Sequence, residues 1–566
     1  MESEPTEGAW LDMNLGVDFG STYTTMTRYV ETVEQLQDVI LYEGAPFIPS
    51  IVTEGKGKTY YGSEARVKTG KSGLVTYKAF KMLLPESRPE ILKERGYDET
   101  HRPDAVAEKF LDFCLQSALD RCGEKQIEKL VVGVPEVWND RLETMDGRNV
   151  LRNICLKFPY VKEAQVVSEP AAASAFFAWN FRKNTGRDFD GHILLIDYGG
   201  GTLDITLTDV DASSDGSVEI KVNARTGAGE NTEGQIGNAG ILYMESVMQS
   251  AILESGCFDG PVEKDGKFMS AVYELEEEIK TGRSTICDVF DEFGLDDTDE
   301  LDEEEFTTIE FKGEDIEISY GLLLRVYNDV IRPVLADQLK KMIDNMEEAG
   351  IRYDDRDQEI FKIALTGGFG GFKLVEEQVR ETFHFSSMDK RQKDIINVAT
   401  DREKAVSMGA ALVASRIIRI RNTAPYSIGF PGVGQNILNT DYAFRYKDDI
   451  VFDQVYYPHY KKDPEKPIAY FIGATPDAFV VNNAQTPVTA KIVYLKKRYV
   501  DELKHLISYA DEQHQTAVIG FSLDSSGILS IHIRPFNLFT RQAEGEDRKI
   551  VLDSFQNMFE LSPVEY

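Results

Sequence analysis

The stretch Leu194-Leu195-Ile196-Asp197-Tyr198-Gly199-Gly200-Gly201-Thr202-Leu203-Asp204 constrains the chain more than any other. An apolar run delivers an acid, three glycines follow, and then come a hydroxyl and a second acid. Ile193 to Ile196 reads as a buried strand, and beyond the glycines Leu203, Ile205 and Leu207 alternate with Asp204, Thr206 and Thr208. That is strand period rather than helix period. The motif is a strand–turn–strand hairpin, which separates it from the P-loop and the dinucleotide fingerprint, since both run into a helix. Glycines without Cβ let backbone N–H groups close on phosphate oxygens. Asp197 and Asp204 flank the turn where magnesium and its waters fit. A tight hairpin with solvated acids would read the same in isolation.

The logic repeats in Leu15-Gly16-Val17-Asp18-Phe19-Gly20-Ser21-Thr22-Tyr23-Thr24-Thr25. An apolar strand again ends in an acid, a glycine and hydroxyl turn follows, and an alternating stretch comes after. Two such hairpins in the same order suggest a duplicated half-domain with nucleotide phosphates clamped between the halves.

With 566 residues the chain is too long for one core, and two or three domains are expected. Its net charge of -34 argues against a nucleic-acid or anionic-membrane partner, because phosphates would be repelled. A nucleotide must then be held by a few local cations and backbone amides. No apolar run is long enough to span a bilayer. Cys114, Cys122, Cys155, Cys257 and Cys287 are scattered without a CxxC pair, as expected of thiols in a reducing compartment. Met1 to Trp10 is acidic where a signal peptide needs basic and then apolar residues, so a cytoplasmic location is expected.

Further stretches make the chain resemble the heat-shock protein 70 (DnaK-like) family, within the actin and sugar-kinase ATPase superfamily. Phe47-Ile48-Pro49-Ser50-Ile51-Val52 and Tyr61-Gly62-Ser63-Glu64-Ala65 resemble the family's early hairpin and following helix. Leu130 to Asp140, with Val134-Pro135, is similar to its strand ending in Val-Pro, and Val167-Ser168-Glu169-Pro170-Ala171-Ala172-Ala173 to its crossover helix. The resemblance implies an α/β, two-lobed actin-like (ribonuclease H-like) ATPase domain over residues 12–420. It also implies a β-sandwich-like substrate domain over 424–545.

What the resemblance implies for the site can be written residue by residue. Gly20, Ser21, Thr22 and Tyr23 on one turn and Gly199, Gly200 and Gly201 on the other would give N–H groups and hydroxyls to ATP phosphates. Asp18, Asp197 and Asp204 would arrange hydrated Mg2+, and the family adds K+. Glu169 and Asp197 would orient the attacking water, and Thr202 would supply a hydroxyl. Lys81, in Phe80-Lys81-Met82-Leu83-Leu84, resembles the catalytic lysine that neutralises charge on the γ-phosphate, with Lys78 as the alternative one helical turn away.

Between Met269 and Ser284 the pattern is helical, with Val272, Leu275 and Ile279 on one face and Glu277, Lys280 and Ser284 on the other. The family's equivalents of those three hold the adenosine, although its arginine after the lysine is replaced by Thr281. Ile363 to Lys373, with Gly367 and Gly368, resembles the family's adenosine motif, and Glu403 takes the place of an acid near the nucleoside. The acidic run Asp288 to Glu305 lacks the glycine and oxygen spacing of a calcium loop and reads as a solvated surface loop.

Tyr426-Ser427-Ile428-Gly429-Phe430 resembles the entry into the family's β-sandwich. Strand-like stretches follow at Ile468 to Ile472 and Val488 to Leu495. Gly520 to Ile533 reads as a hairpin around Asp-x-x-Gly. Leu552, Phe555 and Phe559 mark a short helix in residues 546–566, with no room expected for the family's helical lid.

Two departures bear on coupling. Glu143 stands where the family's relay arginine is expected, with Arg141 nearby, and Arg416-Ile417-Ile418-Arg419-Ile420-Arg421-Asn422 interleaves basic residues where the family has an apolar linker. Linker docking and partnership with J-domain co-chaperones are therefore open. The expected function is an ATP-binding, slowly hydrolysing, chaperone-like protein that binds an extended polypeptide client. The alternatives are an ATP-switched scaffold with a dedicated protein partner, or a small-molecule kinase of the same superfamily.

Overall fold

Alternating apolar residues on either side of the two acid–glycine turns build two six-stranded sheets with one repeated strand order. The computed structural model describes residues 13–41, 46–135, 138, 147–212, 218–228, 240–295, 298–352, 361–384, 396–397, 401–421, 426–429, 436–438, 451–456, 478–483, 491–495, 516–537, 540–551 and 559–560. In the first sheet Gln35–Asp38, Tyr23–Val30 and Met13–Phe19 are antiparallel, and Ile127–Val134 and Val161–Ser168 continue in parallel. In the second, Val218–Ala228, Leu203–Ala212 and Gly191–Tyr198 are antiparallel, and Phe361–Thr366 and Ile396–Asn397 continue in parallel. Parallel neighbours require long crossovers, and helices supply them.

Two of those helices meet closely because their residues are small. Glu169–Thr185 starts at Ser168, whose Oγ accepts from the Ala171 N–H at 3.2 Å, and ends at Gly186 in the left-handed region. It crosses Ala405–Ala414 where a Cβ on Gly409 would fall 1.6 Å from the Ala172 carbonyl oxygen. The same second helix lies on Met13–Phe19, where a Cβ on Gly16 would fall 2.3 Å from the Ser407 carbonyl. These contacts fix both sheets around one buried helix pair.

The C-terminal residues form two five-stranded sheets. One runs Asn436–Leu438, Tyr426–Gly429, Ala478–Asn483, Lys491–Leu495, Phe559–Glu560. The other runs Val451–Tyr456, Thr516–Leu523, Leu529–Asn537, Gln542–Ala543, with Arg548–Val551 also on Leu529–Asn537. The expected Asp-x-x-Gly hairpin is present. Asp524 Oδ1 accepts from the Ser526 and Ile528 amides at 2.8 and 2.9 Å, and Gly527 has φ +75°. Its turn seats on the first sheet, where Gln165 Nε2 donates to the Ser525 carbonyl at 2.8 Å and the Val166 N–H to Ser526 Oγ at 3.2 Å.

Three expectations are corrected, and linker docking, open from the sequence, is answered. The helix expected over Met269–Ser284 is Gly266–Thr281, broken at Gly282 before a second helix, Arg283–Phe293. That second helix and Thr298–Asp302 occupy most of the acidic run read as a loop, because Ile286, Phe290 and Leu301 are buried beneath the acids. The linker docks: Ile418–Arg421 adds a parallel strand to Val218–Ala228, with Ile418 buried and Arg419 exposed. In the tail, Arg548–Val551 and Phe559–Glu560 are strands, Phe559 pairing with Leu495, where a helix was expected. Glu143, Arg141 and Ile468 to Ile472 lie outside the described residues. All five cysteines are free thiols, and among the described residues no helix is long and apolar enough to cross a membrane.

Candidate nucleotide cleft

The two glycine turns face each other. A Cβ on Gly200 would lie 2.4 Å from Thr22 Oγ1, and one on Gly201 would lie 3.1 Å from Ser21 Oγ. Side chains on these glycines would close the gap, so their absence keeps backbone amides accessible from both sides. Gly367, at φ +76°, brings the third glycine motif against the second hairpin; a Cβ there would meet Asp197 Oδ1 at 2.5 Å. The helix Gly240–Glu254 starts on the second turn, the Gly240 and Ile241 amides donating to the Gly199 and Gly200 carbonyls at 3.1 and 2.8 Å. Gly20, Ser21, Thr22, Tyr23, Gly199, Gly200, Gly201, Thr202, Gly367, Gly368 and Glu403 all line this cleft.

Acids gather on its floor. Asp18, Glu169 and Asp197 line the cleft with Lys81, and Asp204 lies across the ladder from Asp197. Lys81 and Glu169 form an ion pair, both nearly fully buried. Burial, then the neighbouring Glu169 and Asp204, push the Asp197 carboxyl up to about 8. Burial and Glu169 likewise hold Asp18 well above the usual carboxylate range, with Lys81 opposing. The carboxyls of Asp18, Glu169 and Asp197 crowd around the Lys81 ammonium, an arrangement that a divalent cation would relieve. Among the described residues no three His, Cys, Asp or Glu side chains converge to cage an ion by themselves. Magnesium suits such a site, because it keeps several waters and takes its remaining oxygens from phosphate.

Lys78 is exposed, its ammonium 5.8 Å from the centre of the Tyr273 ring, whereas Lys81 reaches the cleft. The helical residues expected beside a nucleoside are placed differently from the sequence reading. Lys280 lines the cleft, but the acid beside it is Glu276, paired with Lys280 at 3.2 Å, and not Glu277. Ser284 is exposed and away from the cleft. Arg283, which sequence reasoning missed, donates from Nη2 to the Gly368 carbonyl at 2.7 Å and pairs with Glu403 at 2.6 Å. It thus places a guanidinium against the glycine motif although Thr281 follows the lysine. The break at Gly282 was the available signal for it.

The chain is therefore a mixed α/β protein whose paired glycine hairpins oppose each other above buried acids. No family model matches it. Among curated proteins it is similar to "Chaperone protein DnaK" of Metamycoplasma hominis, 23% identical over 402 residues, 70% of this chain and 58% of the relative. It is also similar to the proteins of that name from Mycoplasmoides gallisepticum (26% over 218 residues, 37% of this chain and 32% of the relative) and Ureaplasma urealyticum (22% over 372 residues, 65% and 54%). The chain is a distant homologue of the DnaK (Hsp70) proteins over much of its length. These matches span from 32% to 58% of the relatives' own lengths.

Proposed function

We propose that the chain binds ATP with magnesium between its two six-stranded halves, hydrolyses it slowly, and acts as a chaperone-like protein holding extended polypeptide on its C-terminal sheets. The observation that carries this reading is the opposition of the two hairpin turns above Asp18, Glu169, Asp197 and Lys81. The repeated strand order supports two actin-like lobes over residues 12–420, and the two C-terminal sheets support a β-sandwich beyond residue 424. The named relatives are chaperones, which supports the polypeptide client.

Phosphoryl transfer to water asks mainly for positioning and charge. The amides of the two turns hold the β- and γ-phosphates, with the Ser21 and Thr202 hydroxyls beside them. Lys81, kept in place by Glu169, faces the charge that gathers on the γ-phosphate. Glu169 and Asp197 orient the water. Magnesium, when bound near Asp18, Asp197 and Asp204, neutralises phosphate charge. Tyr273, Val272 and Phe372 supply apolar walls on the nucleoside side, with Glu276, Lys280 and Arg283 as its polar groups. The docked Ile418–Arg421 strand and the seated hairpin turn join the cleft-bearing part to the peptide-binding part.

Single-turnover hydrolysis of ATP by the full chain tests the reading. Phosphate release that requires magnesium is expected; no release at millimolar ATP with magnesium contradicts it.

A further inference from the structure

The C-terminal sheet carries a second constellation, far in sequence from the cleft residues. Ser522 Oγ lies 2.6 Å from His532 Nε2, and His532 Nδ1 lies 2.8 Å from Asp547 Oδ2. A carboxylate only accepts, so Nδ1 carries the ring proton toward Asp547. Nε2 is then left to accept the Ser522 hydroxyl proton. This is the order of contacts that activates a serine nucleophile, recognised by geometry and not by sequence order.

These residues lie off the apolar face of their sheet. In the paired strands Thr516–Leu523 and Leu529–Asn537, Phe521 stands opposite Ile531 and Leu523 opposite Leu529, and Ile531 pairs on its other side with Ile550. Phe521, Leu529, Ile531, Ile533 and Ile550 are buried on that face. Strand alternation puts Ser522 and His532 on the other face, which the apolar core does not need. His532 is 5% exposed, and burial holds its imidazole below the usual range despite Asp547, so it enters as a neutral base. Ser522 is partly exposed.

The ladder points to the Leu523 amide as the candidate donor for an oxyanion. The Asp524 amide donates to the Ile528 carbonyl at 3.0 Å, and the register continues as Leu523 with Leu529 and Ser522 with Ser530. Antiparallel pairs alternate, so the Asp524 and Ser522 amides face Leu529–Asn537 and the Leu523 amide faces the opposite side. There the described pairing with Val451–Tyr456 ends at Val451, opposite Phe521. The amide of the residue after the nucleophile is a recurrent oxyanion donor in serine hydrolases.

We propose that Ser522, His532 and Asp547 form a second catalytic site, a hydrolase centre for carboxylic esters. Ser522 Oγ bonds to the acyl carbon while its proton moves to His532 Nε2, and the carbonyl oxygen takes up the electron pair beside the Leu523 N–H. The C–O bond to the alcohol breaks, and the alcohol leaves with the proton held by His532. Water then attacks the acyl carbon and gives a proton to His532 Nε2; the bond from the acyl carbon to Ser522 Oγ breaks, Oγ takes that proton back from His532, and the carboxylic acid is released. Ester and water become acid and alcohol. Asp547 is the positioning residue, holding His532 in the required tautomer.

A fluorophosphonate probe tests this on the full chain, since its phosphorus bonds to an activated serine as fluoride leaves. Intact mass and peptide mapping should show one adduct, on Ser522, that is absent in Ser522→Ala. His532→Gln should slow labelling about 100-fold, and Asp547→Asn should slow it measurably, with melting behaviour showing that each variant folds. Hydrolysis of p-nitrophenyl acetate should fall in parallel with labelling, with ATP binding unchanged. No adduct at Ser522, or equal labelling rates in folded Asp547→Asn or His532→Gln and the parent chain, would overturn the proposal.

Discussion

Tyr23 Oη donates to Glu277 Oε1 at 2.8 Å, joining a strand of the first half to a helix of the second at the lip of the cleft. Arg66 reinforces the join, with Nη1 at 2.8 Å from Tyr23 Oη and 2.9 Å from Glu277 Oε1, and Nη2 donating to the Tyr273 carbonyl at 3.1 Å. Lys280 sits 3.5 Å above the Tyr23 ring. Glu277 thus ties the halves together where the sequence had it holding adenosine. Arg66→Ala should speed release of a fluorescent nucleotide by about 5- to 30-fold, the equivalent of about 1–2 kcal/mol. Stopped-flow chase kinetics measure it, and an unchanged rate means that the lip does not gate the cleft.

Lys81→Ala and Asp197→Asn should each remove most ATP hydrolysis while leaving ATP affinity within about tenfold. In the proposed mechanism both act on charge and water in the transition state, whereas affinity comes mainly from amides and the nucleoside pocket. Lys78→Ala should retain turnover, because Lys81 lines the cleft and Lys78 does not. Quench-flow hydrolysis and equilibrium titration on the three variants separate these effects; loss of turnover in Lys78→Ala alone would reverse the assignment.

The segment that carries Lys81 is anchored by Glu86, whose buried carboxylate accepts from the Ser87 and Arg88 amides at 2.9 and 2.8 Å and from Arg88 Nε and Nη2 at 2.9 and 2.6 Å. The Arg88 guanidinium, together with the backbone donors, holds this carboxyl below the usual range against the opposing effect of burial. A depressed folded value means stabilisation that is present above the unfolded carboxylate range, about 4.3, and lost as pH falls. Glu86→Gln should therefore lower stability by about 1–2 kcal/mol at pH 7, and the difference should shrink as pH falls below the unfolded carboxylate value and disappear once pH is below the lower folded one. Thermal melts across that range check both the size and the sign.

The seating of the Asp524–Gly527 turn on Val161–Ser168 predicts communication between nucleotide and peptide. In the full chain, ATP should change the anisotropy of a bound fluorescent apolar peptide. Gln165→Ala with Ser526→Ala, which removes the Gln165–Ser525 and Val166–Ser526 contacts, should shrink that response without abolishing ATP binding. A full response in the double variant places the coupling elsewhere.

The two hairpins were legible because an acid, glycines and an alternating strand are local signals that tertiary context rarely hides. The acidic floor was legible for the same reason. The residues expected at the adenosine were not, because their assignment depended on helix phase. Neighbours on a helix differ by about 100°, so choosing Glu277 over Glu276 needed the orientation of the helix and not only its apolar stripe. Val272 and Ile279 belong to that buried stripe and also line the cleft, so the cleft lies beside the stripe and not opposite it. Ser284 was misplaced because Gly282 interrupts the helix, and the same interruption brings Arg283 in. In the linker, the arginines drew attention from the period-two placement of Ile418 and Ile420, which is what a docking strand needs.

The central claim, that the opposed hairpins form an ATP site, is tested most directly by calorimetric titration of the full chain with ATP and magnesium. The structure predicts saturable binding of one nucleotide per chain, weakened when Gly200→Val drives a side chain against Thr22 at the phosphate turn. No heat of binding at millimolar ATP with magnesium, or equal affinity in a folded Gly200→Val variant, would contradict it.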